Sequence, residues 1–407
     1  MKKQKILVSL LIAGGLVSPM AHATNGYFAH GYGMKAKGMA GVGIALPQDS
    51  LAAATNPAGM VMVGSRVDLG LDWFSPKREA NIAGTNYVSG SNNFFIPEIG
   101  YNRMLGEDSS VGVSIFGNGG MNTDYPNIPN FNITGKRVGV NLEQLFISPT
   151  WAKKLSPTNA VGVSLNLAYQ KFAANGIANF GPVSSSAANL SDNGTDSSTG
   201  WGVRLGWNGQ VTPDVTLGAT YQSKTKMSKL SKYSGLFADQ GGFDIPENYG
   251  VGIAVKATQA TTIAVDVVQI NYSKVASIAN PIAGMGLPGN LLGQPAGIGF
   301  GWKDQTVFKL GGAYEYSKDL TLRAGYNQGS STIPNTEIAF NVLAPATVER
   351  HMTLGATWTL ANKGELSFAY MHAFSNSQTG ATPQLGASPT TIKMHEDSLG
   401  IAYGWKL

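Results

Sequence analysis

The chain has 407 residues, of which only 13% are charged; 52 are glycine and none is cysteine. Without cysteine there is no disulfide framework, thiolate metal site or cysteine nucleophile, and the charged share is about half that of soluble domains. The formal net charge of +5 includes Lys2, Lys3 and Lys5 and falls to +2 (5 − 3) without them; no Lys/Arg run follows, so no nucleic-acid partner is read.

In chain order, Lys2, Lys3 and Lys5 precede an uncharged apolar run, Ile6 to Val17, and then the small-x-small triplet Ala21-His22-Ala23. That layout predicts a secretory signal peptide over 1–23, with the mature chain starting at Thr24. Beyond residue 23 no stretch holds eighteen consecutive apolar residues, which argues against spanning helices. A closed barrel, with every backbone group paired between strands, is the other way to bury an apolar chain in a membrane. Residues 24–65 show no alternation. Gly38 to Gly43 are small and compact, Asp49 to Ala54 read as a short helix with Asp49 as N-cap, and Pro57 disfavours helix at Asn56 while able to begin a new turn. The segment is too apolar for a disordered periplasmic tail and is expected to plug a lumen.

From residue 66 onward the pattern has period two. Val161, Val163, Leu165, Leu167 and Tyr169 alternate with Gly162, Ser164, Asn166, Ala168 and Gln170; Leu399, Ile401, Tyr403, Trp405 and Leu407 alternate with Gly400, Ala402, Gly404 and Lys406. One face is apolar with aromatic ends and the other is small or polar, which suits lipid outside and a polar lumen inside. Strands are predicted at 66–75, 94–105, 110–119, 141–153, 159–172, 200–211, 215–226, 248–256, 261–274, 305–317, 320–328, 347–360, 365–374 and 393–407. Short connections with turn chemistry, such as Ser156-Pro157-Thr158 and Lys318-Asp319, alternate with long ones at 173–199, 227–247, 275–304, 329–346 and 375–392. Periplasmic turns and extracellular loops give that asymmetry. A soluble sandwich would need a second sheet to cover the apolar face and would not explain the loop pattern. The expected fold class is all-β: a transmembrane antiparallel β-barrel of about fourteen strands over 66–407, with an N-terminal helical hatch over 24–65.

Thr24-Asn25-Gly26-Tyr27, Gly38-Met39-Ala40-Gly41 and Asn56-Pro57-Ala58-Gly59-Met60 together resemble the N-terminal hatch of the FadL family, outer-membrane transporters of long-chain fatty acids with TodX-type relatives for aromatic hydrocarbons. Leu322 to Asn327 and Ile338 to Pro345 are a second match. The resemblance implies a fourteen-stranded barrel in the cell outer membrane of a Gram-negative bacterium. It also implies passive uptake: capture by extracellular loops, binding in the lumen, hatch movement, and lateral release into the bilayer where the third strand is kinked. Each buried CH₂ favours an apolar path by about 0.8 kcal/mol, so sideways exit keeps a greasy ligand out of water.

The resemblance puts the hatch element at Asn56, Pro57 and Ala58 and the kink at Phe116, Gly117, Asn118, Gly119 and Gly120, where three glycines weaken pairing; an ordinary strand end is the plainer reading. Lumen-facing parity holds Asp68, Asp72, Glu98, Arg204, Lys256, Asp266, Lys309, Glu315 and Arg323. Arg323, with Lys309 or Arg204, is expected to hold a ligand carboxylate, unless these charges instead fix the hatch to the wall. By order, 173–199 and 227–247 are the third and fourth extracellular loops, with Phe180, Leu190, Leu236 and Phe237 as apolar capture residues. His30, His351, His372 and His395 show no metal spacing, and no G-x-S-x-G or phosphate loop occurs, so neither catalysis nor a cofactor is expected. The expected partners are a fatty acid or hydrocarbon, outer-membrane lipid and lipopolysaccharide, and the barrel-assembly machinery, whose signal Gly400 to Trp405 resembles despite the terminal Lys406-Leu407. Uptake of aromatic or aliphatic hydrocarbons is the alternative; a polar-solute porin or an adhesin is the alternative of another class.

Overall fold

The computed structural model describes residues 25–386 and 388–407; the expected signal peptide and Thr24 lie outside the described residues. Fourteen long strands form the wall among them: β1 (Arg66–Ile82), β2 (Phe94–Met104), β3 (Ser109–Asn122), β4 (Gly139–Ser156), β5 (Asn159–Asn175), β6 (Asp196–Thr212), β7 (Val215–Gln222), β8 (Asn248–Lys256), β9 (Thr261–Ile270), β10 (Gln305–Ser317), β11 (Leu320–Gly329), β12 (Arg350–Thr359), β13 (Glu365–Gly380) and β14 (Thr390–Lys406). Each pairs antiparallel with the next. β14 closes on β1 from Arg66↔Lys406 to Ile82↔Thr390. Two short strands stand outside this ring: Thr85–Val88 folds back on β1, and Lys226–Met227 pairs with β6.

The barrel is inside-out relative to a soluble protein. On β5, Val163, Leu165, Leu167 and Tyr169 are exposed while Ala160, Ser164, Asn166, Ala168 and Gln170 are buried. The outward apolar run on β5, Val161 to Tyr169, is nine residues long, enough for one tilted strand to cross a bilayer. Exposed aromatics mark its two edges: Trp151, Tyr314 and Trp358 toward the short turns, and Trp73, Tyr169, Trp201 and Tyr249 toward the long loops.

Strand existence and order agree with the sequence pattern, and several ends do not. β1 and β13 run on to Ile82 and Gly380, past the apolar band. Backbone pairing continues there with polar side chains facing water. The run predicted to 274 stops at Ile270, because Tyr272–Lys274 forms a 3-10 turn that swings Tyr272 into the lumen. Lys256 and Glu315, assigned by parity to the lumen, are exposed near the short-turn rim.

Residues 25–65 lie within the ring and bond to strands on several sides: Ala40 N to Thr353 Oγ1 of β12 (2.8 Å), Gly43 N to Asp266 Oδ2 of β9 (2.8 Å), and Asn56 Nδ2 to Trp207 O of β6 (2.9 Å). Asn56 caps the 3-10 helix Pro57–Val61, its side chain accepting from Ala58 N at 3.1 Å, with Pro57 at the first position. Asp49 Oδ1 accepts from Leu51 N at 3.0 Å ahead of the 3-10 turn Ala52–Ala54. Wall glycines make room for this segment. A Cβ on Gly162 would lie 2.4 Å from Pro57 C, and one on Gly218 would lie 2.4 Å from Ile44 O.

Candidate transport site

The wall is incomplete between β2 and β3. Their ladder runs from Met104↔Ser110 to Ile99↔Ile115, whereas β2 continues to Phe94 and β3 to Asn122. Above Ile115, β3 carries a bulge against β4: Gly117 pairs with Leu145 and Gly119 with Gln144, leaving Asn118 as the extra residue. A bulge bends its strand and increases the local twist, and here β3 turns to the lumenal segment. Ala29 N donates to Asn118 O at 3.1 Å and Gly120 N to Tyr27 O at 3.0 Å, forming a bridge between Phe28 and Gly119. The five residues expected at the kink thus sit together at the gap. Gly119 has a reason that the sequence did not reveal: a Cβ there would stand 2.0 Å from Tyr27 O. Phe116 is fully buried, 4.7 Å from the Tyr32 ring and 5.7 Å from that of Phe146. The Tyr32 hydroxyl donates to Asn118 O at 3.2 Å.

Behind this peptide is a cavity of about 50 Å³, lined by Phe28, Tyr32, Ile270, Val307, Arg204 and Lys309 among others. Among the described residues no carboxylate lines it; the nearest on the wall by register, buried Asp266, pairs with Lys309 across β9 and β10. Both cations also brace the lumenal segment. Lys309 Nζ donates to His30 O (2.7 Å) and Gly41 O (3.3 Å); Arg204 Nη1 donates to Thr55 O (3.0 Å) and Nη2 to Gln222 Oε1. Arg204 Nε is buried with no partner among the described residues. Arg323 stands apart, donating to Gln48 Oε1 (3.0 Å) and Thr357 Oγ1 (2.7 Å).

Toward the short turns the segment is held by charge. Lys37 lies between Asp72 (2.9 Å) and Glu98 (2.8 Å), Lys35 meets Glu365 (2.6 Å), and Arg66 joins Asp68 (2.6 Å) to Glu365 (2.7 Å). Toward the long loops it is capped by apolar groups. Phe180, Leu190, Leu236 and Phe237 are all buried in one cluster. Phe237 packs on Phe172 (4.6 Å) and Phe243 (4.8 Å), and Phe180 on Phe131 (5.4 Å) and Phe340 (5.0 Å). Leu236 and Phe237, with Phe172, Phe300, Phe340 and Leu343, line a further small cavity. The sequence reading missed the aromatic group around Tyr27, in which Tyr272 lies at 5.5 Å and Trp302 at 6.1 Å. Their loop position was visible, but their convergence depends on tertiary contacts.

A closed antiparallel barrel with an outward apolar band, an aromatic edge at each side and a filled lumen is a transmembrane barrel of the outer-membrane type. Residues 15–405 match the family model described as outer membrane protein transport protein (OMPP1/FadL/TodX), and the chain belongs to that family of outer-membrane transporters of hydrophobic compounds. Solved structures share the fold. The Pseudomonas putida toluene transporter TodX is 18% identical, with a TM-score of 0.73 over 93% of this chain and 99% of that one. A Pseudomonas aeruginosa FadL homologue is 14% identical, with a TM-score of 0.72 over 94% and 99%. The Ralstonia pickettii toluene transporter TbuX is 18% identical, with a TM-score of 0.66 over 93% and 99%. No curated protein sequence matches the chain.

Proposed function

We propose that the protein takes up long-chain fatty acids by passive transport, with residues 24–65 as a movable hatch in the 66–407 barrel and lateral release between β2 and β3. The observation that carries this reading is the cavity that brings Arg204 and Lys309 together with apolar walls and no carboxylate. Two cations facing one apolar space suit a carboxylate head with a hydrocarbon tail. At about 50 Å³ the space is far below the roughly 300–1,000 Å³ of ligand pockets. An acyl chain therefore enters only as Asn25 to Tyr32 withdraw, and that withdrawal frees the edge of β3 at the gap. The apolar loop residues Phe180, Leu190, Leu236 and Phe237 are buried in the cap over the lumen, and the ligand passes by parting that cap. Arg323, bonded to Gln48 and Thr357, serves to brace the hatch. Tyr403 and Trp405 on β14 suit recognition by the barrel-assembly machinery.

Hydrocarbon uptake is the second reading, favoured by the bonds that occupy both cations and by a fold shared with two toluene transporters. The double variant Arg204→Met/Lys309→Met separates the two. Losing charged hydrogen bonds worth about 1.5–3 kcal/mol lowers oleate binding at least about tenfold, and lowers oleate uptake relative to toluene uptake by a similar factor, a ratio in which any loosening of the braced hatch cancels. Equal oleate uptake by a folded variant overturns the carboxylate assignment and leaves the hydrocarbon reading.

A further inference from the structure

An open cleft of about 480 Å³ lies at the loop-side rim above the wall gap. Its lining includes Asn122 at the top of β3, Asn141 and Asn175 at the tops of β4 and β5, and Asp124, Arg137 and Asp192 from the loops. Ser91, on the chain leading into β2, closes the near side. The rim is joined across the gap by Gly90 N donating to Asp124 O at 2.8 Å. Asn141 and Asn175 continue the outward-facing rows that carry Ile147 on β4 and Tyr169 on β5. Asn175 lies six residues beyond Tyr169, roughly 20 Å along the strand, so the cleft opens to the outside of the barrel beyond the apolar band, at the level of sugars carried by outer-leaflet lipids.

Its chemistry is specific. The charges are paired within the protein, Arg137 to Asp124 at 2.6 Å and Lys136 to Asp192 at 3.3 Å, so two bases offset two acids and the cleft has no net pull on a polyanion or a metal ion. The amides form a chain anchored on a buried guanidinium. Arg78 Nη2 donates to Asn122 Oδ1 (3.0 Å), Asn122 Nδ2 to Asn141 Oδ1 (2.9 Å), and Asn141 Nδ2 to Glu143 Oε1 (2.7 Å). Each carboxamide has two N–H groups and two lone pairs. After these bonds Asn122 and Asn141 each keep an oriented donor and acceptor. Fixed side chains that donate and accept at once, beside paired carboxylates, match neighbouring hydroxyls on a sugar ring.

We propose that this cleft binds the core-sugar hydroxyls of an outer-leaflet glycolipid, beyond its acylated lipid A disaccharide, and so holds one lipid over the gap between β2 and β3. Its acyl chains lie against the unpaired edge of β2, and a substrate leaving sideways passes along them. The lipid's place over an exit rests on the transport reading; the sugar contact does not.

The test uses the full-length protein purified in detergent and titrated in native mass spectrometry. The probes are rough lipopolysaccharide with inner-core sugars, lipid A without them, and the free core oligosaccharide. The intact protein is expected to hold rough lipopolysaccharide more tightly than either other probe. Asn141→Leu/Asn175→Leu weakens that binding about tenfold and Asn175→Ala alone roughly threefold, since a neutral hydrogen bond contributes about 0.5–1.5 kcal/mol. Heat-modifiability on gels reports folding, and the exposed Asn175→Ala site keeps the test open should the double variant fail to assemble. Unchanged binding by a folded variant overturns the proposal, as does lipid A binding equal to that of rough lipopolysaccharide. Free oligosaccharide binding as tight as the lipid-linked form overturns the assignment to a lipid.

Discussion

The lumenal segment is held in two different ways at its two ends. Its base, around the helix Met34–Lys37, is fixed by buried ion pairs to β1, β2 and β13: Lys37 with Asp72 and Glu98, Lys35 with Glu365. Its head, Asn25 to Ala29, has no charged residue. Backbone bonds to β3 hold it, together with the Tyr272 hydroxyl donating to Asn25 O at 2.5 Å and packing against Tyr272 and Trp302. The difference is one of exchangeability. A buried ion pair cannot be loosened by degrees, because moving one partner strands the other charge in a medium that solvates it poorly. Neutral and aromatic contacts can be replaced one at a time by an apolar ligand offering similar contact. In the proposed transport cycle the base is therefore the fixed end, and the head is the end for a hydrophobic molecule to displace.

The largest expected effect comes from breaking the base. Lys37→Met leaves Asp72 and Glu98 buried without their cation, a loss of about 3–5 kcal/mol for an orphaned ion pair. Small-ion conductance in planar bilayers is expected to rise as the segment loosens. Adding Asp72→Asn and Glu98→Gln should restore closure by removing the stranded charges. A single variant as closed and as urea-resistant as the parent would show that charge does not hold the base.

Next in size is Gly119→Val, whose side chain has no room beside Tyr27 O; overpacking of this kind costs about 1–3 kcal/mol. The barrel should still form and Lys37 should stay protected, while amide exchange at Tyr27, Phe28 and Ala29 accelerates toward that of a free peptide. Unaltered exchange at those three amides would mean that β3 does not retain the head. The smallest effect is expected for Tyr32→Phe, which removes the hydroxyl donated to Asn118 O and a contribution of about 0.5–1.5 kcal/mol. Exchange in the head should rise severalfold with none in the base; equal acceleration at both ends would merge what the structure separates.

Much of the architecture was legible locally. Period-two alternation located the wall strands, and turn chemistry separated short connections from long ones. Asn56-Pro57 marked a capped turn that the structure contains. Strand ends toward the long loops were less legible. Alternation in apolarity stops where lipid stops, whereas backbone pairing continues to Ile82 and Gly380. Within the candidate site, the glycines around Asn118 marked an irregular strand but not its partner, because the contact with Tyr27 joins residues about ninety positions apart. Parity put Arg204, Lys309 and Arg323 on the inner face. It could not say that the first two share a cavity while the third bonds to Gln48 and Thr357.

By itself the sequence determined which side of each strand meets lipid, because that choice is written residue by residue in the alternation of apolar and polar side chains. It also determined that a compact, nearly uncharged segment precedes the wall. Tertiary structure alone decided what fills the lumen and where the wall opens. Closing the ring brings His30 to Lys309, Thr55 to Arg204 and Tyr27 to Gly119. Those distances arise from the closure and bulging of strands far apart in the chain, and no local pattern encodes them.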